Sequence, residues 1–296
     1  MDMNRSVASW LIERPWHAAF ASVLCGVLAP WLLLPFVPFA GAIPAYVALL
    51  GDFRRALGLA ALAALPAVLI LSYGQSTSWL LIAVALLFFG PALLAQLLRK
   101  TGSLNLCFQL AVLAIAAGLL IVHVTLDDAI GLWVSILDAA LEGTGLAGQD
   151  RDVVVALWAR TMWGALAALV LASVLGSLFI GRWWLSLVQA PGTFGPEYRR
   201  LRLGVVLGVS VTALLIAAFV VESPLLASLV WLAFAAFSFQ GLAAAHRSEA
   251  GGRLKRSWLA AIYVLLIVPL STSFTVLALA VWGFFDNWWR ARPYRA

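Results

Sequence analysis

The chain has 296 residues, of which 64% are hydrophobic and 11% charged, and it carries a formal net charge of +6. Soluble domains hold about 25% charged residues and cannot keep this much apolar surface out of water. An ordinary soluble domain is therefore excluded, and the sequence predicts an all-α, polytopic transmembrane helical bundle forming one integral membrane domain in a lipid bilayer.

In a soluble protein a pI near 9.9 would suggest a nucleic-acid partner. Here the Lys and Arg residues are those expected of cytoplasmic loops, and no nucleic acid is implied. Cys25 and Cys107 both lie inside apolar runs, as small core residues do, and read as neither a disulfide nor a metal site. The first apolar run follows Glu13 and Arg14, and no small-x-small cleavage site comes after it, so it reads as an uncleaved first span.

In chain order the apolar runs predict spans at about 16–34, 38–50, 56–73, 79–98, 104–124, 154–181, 203–221, 224–246, 254–270 and 272–289. The stretch 16–50 carries Pro30, Pro35, Pro38 and Pro44, and reads alternatively as one hairpin that crosses incompletely. Pro269 with Ser271, Thr272 and Ser273 predicts a tight turn and N-cap between the last two spans. Placing both termini in the cytoplasm puts every Lys and Arg except Arg151 and Arg160 on the inner side, which requires an even number of crossings, eight or ten. Trp10, Trp16, Trp183, Trp184, Trp258, Trp288 and Trp289 then fall at inner ends and Trp79, Trp133, Trp158 and Trp231 near outer ones, where indole prefers the headgroup boundary. These features place the chain in the bacterial inner (plasma) membrane as a multi-pass protein.

Two segments interrupt the spans. Residues 126–152 form the one long outer segment; Ile130, Trp133, Leu137 and Leu141 share a helical face there, which predicts a short helix on the membrane surface. Residues 182–202 form a basic cytoplasmic loop.

The chain lacks GxxxxGK[ST], so it has no P-loop ATPase of its own, and it lacks HExxH. Three well-separated histidines make a poor metal site, no cofactor is implied, and nothing argues for an enzyme. No Asp, Glu, Lys or Arg falls at the middle of a span, which disfavours ion coupling through a buried carboxylate. The polar residues left inside are neutral: Tyr46, Asn105, Gln109, His123, Gln240 and Tyr263. Each suits either a pocket for a small organic ligand or a helix-to-helix hydrogen bond of about 1 kcal/mol.

The run FQGLAAAH, 239–246, states this choice most sharply. Gln240 lies deep enough that its amide needs a partner, and His246 sits at the water boundary. Gly241, Ala244 and Ala245 form a small-residue face for close helix packing against one of the last two spans.

Four stretches carry a resemblance: PAYVALLGDFRRALGLAA at 44–61, QAPGTFGPEYRRLRL at 189–203, FQGLAAAH, and GFFDNWWRARP at 283–293. Together they resemble the YybS-like family of bacterial multi-pass membrane proteins, which is distantly similar to the substrate-binding subunits of energy-coupling-factor transporters. The resemblance implies a helical bundle with a ligand pocket that depends on a partner membrane protein or transporter module for energy. Under that reading Gln240, His246, Tyr263, Gln109 and His123 are the ligand-binding candidates, Gly241 and Ala245 serve packing, and Asp286 with Arg292 forms an inner latch. The alternative is a non-transporting membrane scaffold or assembly factor that engages protein partners through its loops. A filled core with its unusual features gathered at 126–152 and 182–202 would mark the scaffold.

Overall fold

A computed structural model describes residues 3–30, 33–71, 78–142 and 148–291. Among these residues the chain is helical with no strand. The helices are α1 (Met3–Glu13), α2 (Pro15–Leu28), α3 (Leu33–Leu50), α4 (Phe53–Leu71), α5 (Ser78–Thr101), α6 (Leu104–Thr125) and α7 (Ala129–Leu141). They continue with α8 (Gln149–Gln189), α9 (Phe194–Arg199), α10 (Gly204–Val220), α11 (Pro224–Ala250), α12 (Arg256–Ile267) and α13 (Pro269–Ala291).

Six of these helices are long and apolar enough to cross a membrane: Phe53–Ile70, Ile82–Thr101, Leu104–Thr125, Gln149–Gln189, Pro224–Ala250 and Pro269–Trp289. Shorter apolar helices cover the remaining predicted spans at Pro15–Leu28, Val37–Leu50, Gly204–Val220 and Arg256–Ile267. The described residues of 16–50 therefore form two helices, with Pro38 and Pro44 carried inside α3. Side chains such as Phe219, Leu270 and Val206 stand almost wholly exposed (93%, 89% and 80%), an apolar surface suited to lipid and costly in water.

Three local details differ from the sequence reading. Residues 3–13, which precede the first predicted span, form α1; His17 closes its joint with α2, stacking on Trp10 and bonding its carbonyl oxygen through Nδ1 at 2.6 Å. Helix α8 runs for 41 residues, so the first part of the expected 182–202 loop is helical. Nothing in Arg182–Gln189 breaks a helix, and the chain turns only at Pro191-Gly192, where Gly192 takes φ +86°. Between α12 and α13 the expected break occurs, but Pro269 opens α13 and the hydroxyls act backwards. Ser271 and Thr272 donate to the carbonyls of Leu265 and Leu266, sealing the end of α12 instead of capping α13.

The chain packs as two compact units: 1–111 with 172–201, and 112–171 with 202–296. In the first, Val37, Ala40, Ala63, Ala67, Val84 and Phe88 build a core from α3, α4 and α5. Close approach is set by small residues: Gly26 faces the backbone of Ala63, and Gly181 faces Ala42 to Tyr46. Cys107 is buried in the same unit, its thiol donating to the Leu94 carbonyl at 3.4 Å. In the second unit the tightest pairing is α11 with α13. Gly241 lies against the Leu279 carbonyl and Gly283 against that of Phe237, so a Cβ at either position would fall closer than 3.0 Å to backbone.

Candidate functional site

Helix α10 begins without a capping side chain, since its N-cap residue is Leu203. The first N–H groups of any helix lack an intrahelical acceptor, and burying them unpaired costs about 1–3 kcal/mol each. Two amides from distant helices take that role here. Gln240 on α11, fully buried, accepts from Leu203 N–H through Oε1 at 2.8 Å. Asn287 on α13, 2% exposed, accepts from Gly204 N–H at 3.0 Å and donates its Nδ2 to Gly204 C=O at 3.0 Å. The pairing is an amide-to-peptide clamp, and Gly204 holds φ +86° within it, a conformation other residues adopt only with strain.

The Gln240 amide nitrogen faces Asn287 Oδ1 at 3.4 Å and Asp286 Oδ2 at 3.5 Å, both long contacts. Asp286 in turn pairs with Arg247, a half-buried ion pair. Arg247, Asp286, Gln240 and the start of α10 thus form one connected polar network, which the Gly241–Leu279 approach holds at close quarters. A cleft of about 130 Å³, lined only by apolar groups including Val211, Leu215, Phe237 and Phe284, lies between the same three helices.

The other candidates divide among separate places. His246 Nε2 and the Tyr263 hydroxyl share a 2.7 Å hydrogen bond that ties α11 to α12, with the rings edge to face. His123 bonds back to the Leu119 carbonyl through Nδ1 at 2.9 Å, and its Nε2 is buried without a partner among the described residues. Gln109 is half-buried on the same helix, roughly 21 Å of rise away. Ala245 is fully buried in the α11 small-residue face. Arg292, proposed as the partner of Asp286, lies outside the described residues; Asp286 pairs with Arg247. Asn287 escaped the sequence reading although it stands in the quoted GFFDNWW stretch. Its spacing from Gly283, four residues and hence one face, was the available signal.

The described residues of the two interrupting segments make polar contacts of their own. Asp128 caps α7 by accepting from Gly131 N–H at 2.7 Å, Trp163 Nε1 donates to the Ala129 carbonyl at 2.7 Å, and Arg151 pairs with Asp138 at 3.2 Å. In the other segment Arg182 pairs with Glu197 at 2.5 Å, and Tyr198 is buried against Phe179. Among the described residues, no group of three or more His, Cys, Asp or Glu side chains gathers as a metal site would require. No family model matches the chain, and neither a curated protein nor a solved structure matches it.

Proposed function

We propose that the protein is a multi-pass protein of the bacterial inner membrane, with both termini in the cytoplasm, that works as a non-transporting scaffold or assembly factor and not as an enzyme. The observation that carries this reading is the use made of Gln240. The amide best placed to meet a ligand in the bundle is spent on capping α10. The ion pairs Arg151–Asp138 and Arg182–Glu197 fix the described parts of 126–152 and 182–202, which would serve as surfaces for protein partners.

Native mass spectrometry of the purified full chain tests it. A stoichiometric protein partner without a retained small molecule is the expected result, and a retained organic molecule in the absence of any partner would overturn it.

One observation favours the second reading, a transporter-like protein that binds a small organic molecule in its bundle and relies on a partner for energy, as the YybS-like resemblance implies. Tyr46 is fully buried while its hydroxyl has no hydrogen-bond partner among the described residues. Buried polar atoms are rarely left so, and a bound ligand is one way to satisfy them. Tyr46→Phe separates the two. It should leave thermal stability unchanged or raise it slightly if the hydroxyl is idle, and should lower it in the presence of a co-purifying ligand if the hydroxyl holds one.

A further inference from the structure

At the turn between α10 and α11 the second unit carries an open cleft of about 290 Å³, lined by Ile130, Arg160, Val221, Glu222, Ser223 and Pro224 among others. This volume lies at the lower end of the range for small-molecule sites. Two opposite charges line the same cleft without neutralising each other. Neither Arg160 nor Glu222 has a hydrogen-bond or ion-pair partner among the described residues. Ser223 at the N-cap of α11 also gives its helix no side-chain hydrogen bond, so the positive end of that helix is left open beside Arg160. An anion alone would meet Glu222, and a cation alone would meet Arg160 and the helix end. A molecule carrying both charges meets neither penalty.

The geometry points to a site for a zwitterionic phospholipid headgroup of the phosphatidylethanolamine class, its phosphate on Arg160 and its ammonium on Glu222. Apolar side chains share the cleft with the two charges: Ile130, Ala218, Val221 and Ala227 line it, as the glycerol and first acyl carbons of a lipid would require. The inference shares with the scaffold reading only the placement of the chain in a bilayer, and loss of lipid selectivity would leave the question of protein partners untouched.

The full chain in nanodiscs of equal phosphatidylethanolamine and phosphatidylglycerol, released for native mass spectrometry, tests it. The wild type should retain phosphatidylethanolamine over phosphatidylglycerol by roughly tenfold, the scale of one charge-assisted hydrogen bond. Glu222→Gln should erase that preference while still retaining both lipids, and Arg160→Ala should lose both, with Arg160→Lys recovering part. Equal retention by the wild type, or a preference that survives Glu222→Gln, overturns the proposal. In lipid-stripped detergent samples, phosphoethanolamine and short-chain phosphatidylethanolamine are compared by thermal shift. Stabilisation by the lipid alone identifies the membrane as the source, and stabilisation by both identifies a soluble zwitterion with the same chemistry. A full shift with inorganic phosphate alone, or no shift with any of the three, overturns it.

Discussion

A side-chain amide sealed from water must place both its oxygen and its nitrogen, and Gln240 does so unequally. Its oxygen makes a 2.8 Å bond to Leu203 N–H, whereas its nitrogen reaches only long contacts at 3.4 and 3.5 Å. The oxygen therefore carries the larger share of the energy. Replacing Gln240 with Leu strands the Leu203 N–H at the start of α10, and should destabilise the protein by about 1–3 kcal/mol, read as a lower thermal midpoint in detergent. Asn287→Ala breaks two backbone bonds and frees Gly204, so it should lower the midpoint further than Gln240→Leu; equal or smaller loss would show that the clamp is not what fixes α10. At the network's edge, a double-mutant cycle of Arg247→Ala and Asp286→Ala should return a coupling near 1 kcal/mol, modest because both side chains retain some contact with solvent. The need of Gln240 for a partner was legible in the sequence from its depth in an apolar run. The partner was not, because it is a backbone N–H 37 residues away, and backbone groups leave no mark in residue identity.

Helices that meet at glycine bring backbone against backbone, and this is the packing device between α11 and α13. Gly241 and Gly283 oppose each other across the pair, each facing a carbonyl of the other helix. Without a hydrophobic drive between helices in lipid, such close contact supplies much of their association. Gly283→Ala should force the two helices apart and cost about 1–3 kcal/mol, with the Gln240 and Asn287 bonds loosened as a consequence. Hydrogen exchange at Leu203 and Gly204 measures that consequence directly: faster exchange in Gly283→Ala is expected, and unchanged protection would mean that the clamp does not depend on the glycine contact. The small-residue face of FQGLAAAH was readable because helical spacing alone places Gly241 and Ala245 together. Helix ends were less readable. The pair Trp183-Trp184 beside Arg182 resembles a membrane boundary, yet backbone propensity carries α8 past it to Gln189, since no residue there opposes the helix. Ser271 and Thr272 misled for a related reason. A hydroxyl near a helix boundary serves either end, and the choice depends on which carbonyls the preceding helix leaves open.

At the scale of the molecule, the distribution of charge argues for an orientation. All Lys and Arg residues except Arg151 and Arg160 fall on one side if the ten apolar helices alternate across the bilayer, and an odd number of crossings would carry Arg256 and the arginines from Arg290 onward to opposite faces. The composition made this class of protein legible, because six helices of sufficient length and apolarity follow directly from runs that any hydropathy reading finds. The lipid-facing surface was legible only in part, since an apolar residue in a span faces lipid or core with equal ease until packing decides. Two serines in the second unit test the orientation. Ser135 lies exposed on α7, its hydroxyl donating to the local Leu132 carbonyl, and Ser257 lies exposed in the first turn of α12 next to Arg256. Cys25 and Cys107 are removed as alanines to give a background without thiols; Cys107 gives up one 3.4 Å bond to Leu94, a loss of about 1 kcal/mol. Ser135→Cys in that background should react with a membrane-impermeant maleimide on intact spheroplasts. Ser257→Cys should react only after the membrane is opened, because three predicted crossings through α10, α11 and the long α8 separate it from Ser135. Labelling of both positions from the outside would require an even number of crossings between them, and would invalidate the placement of the basic loops in the cytoplasm.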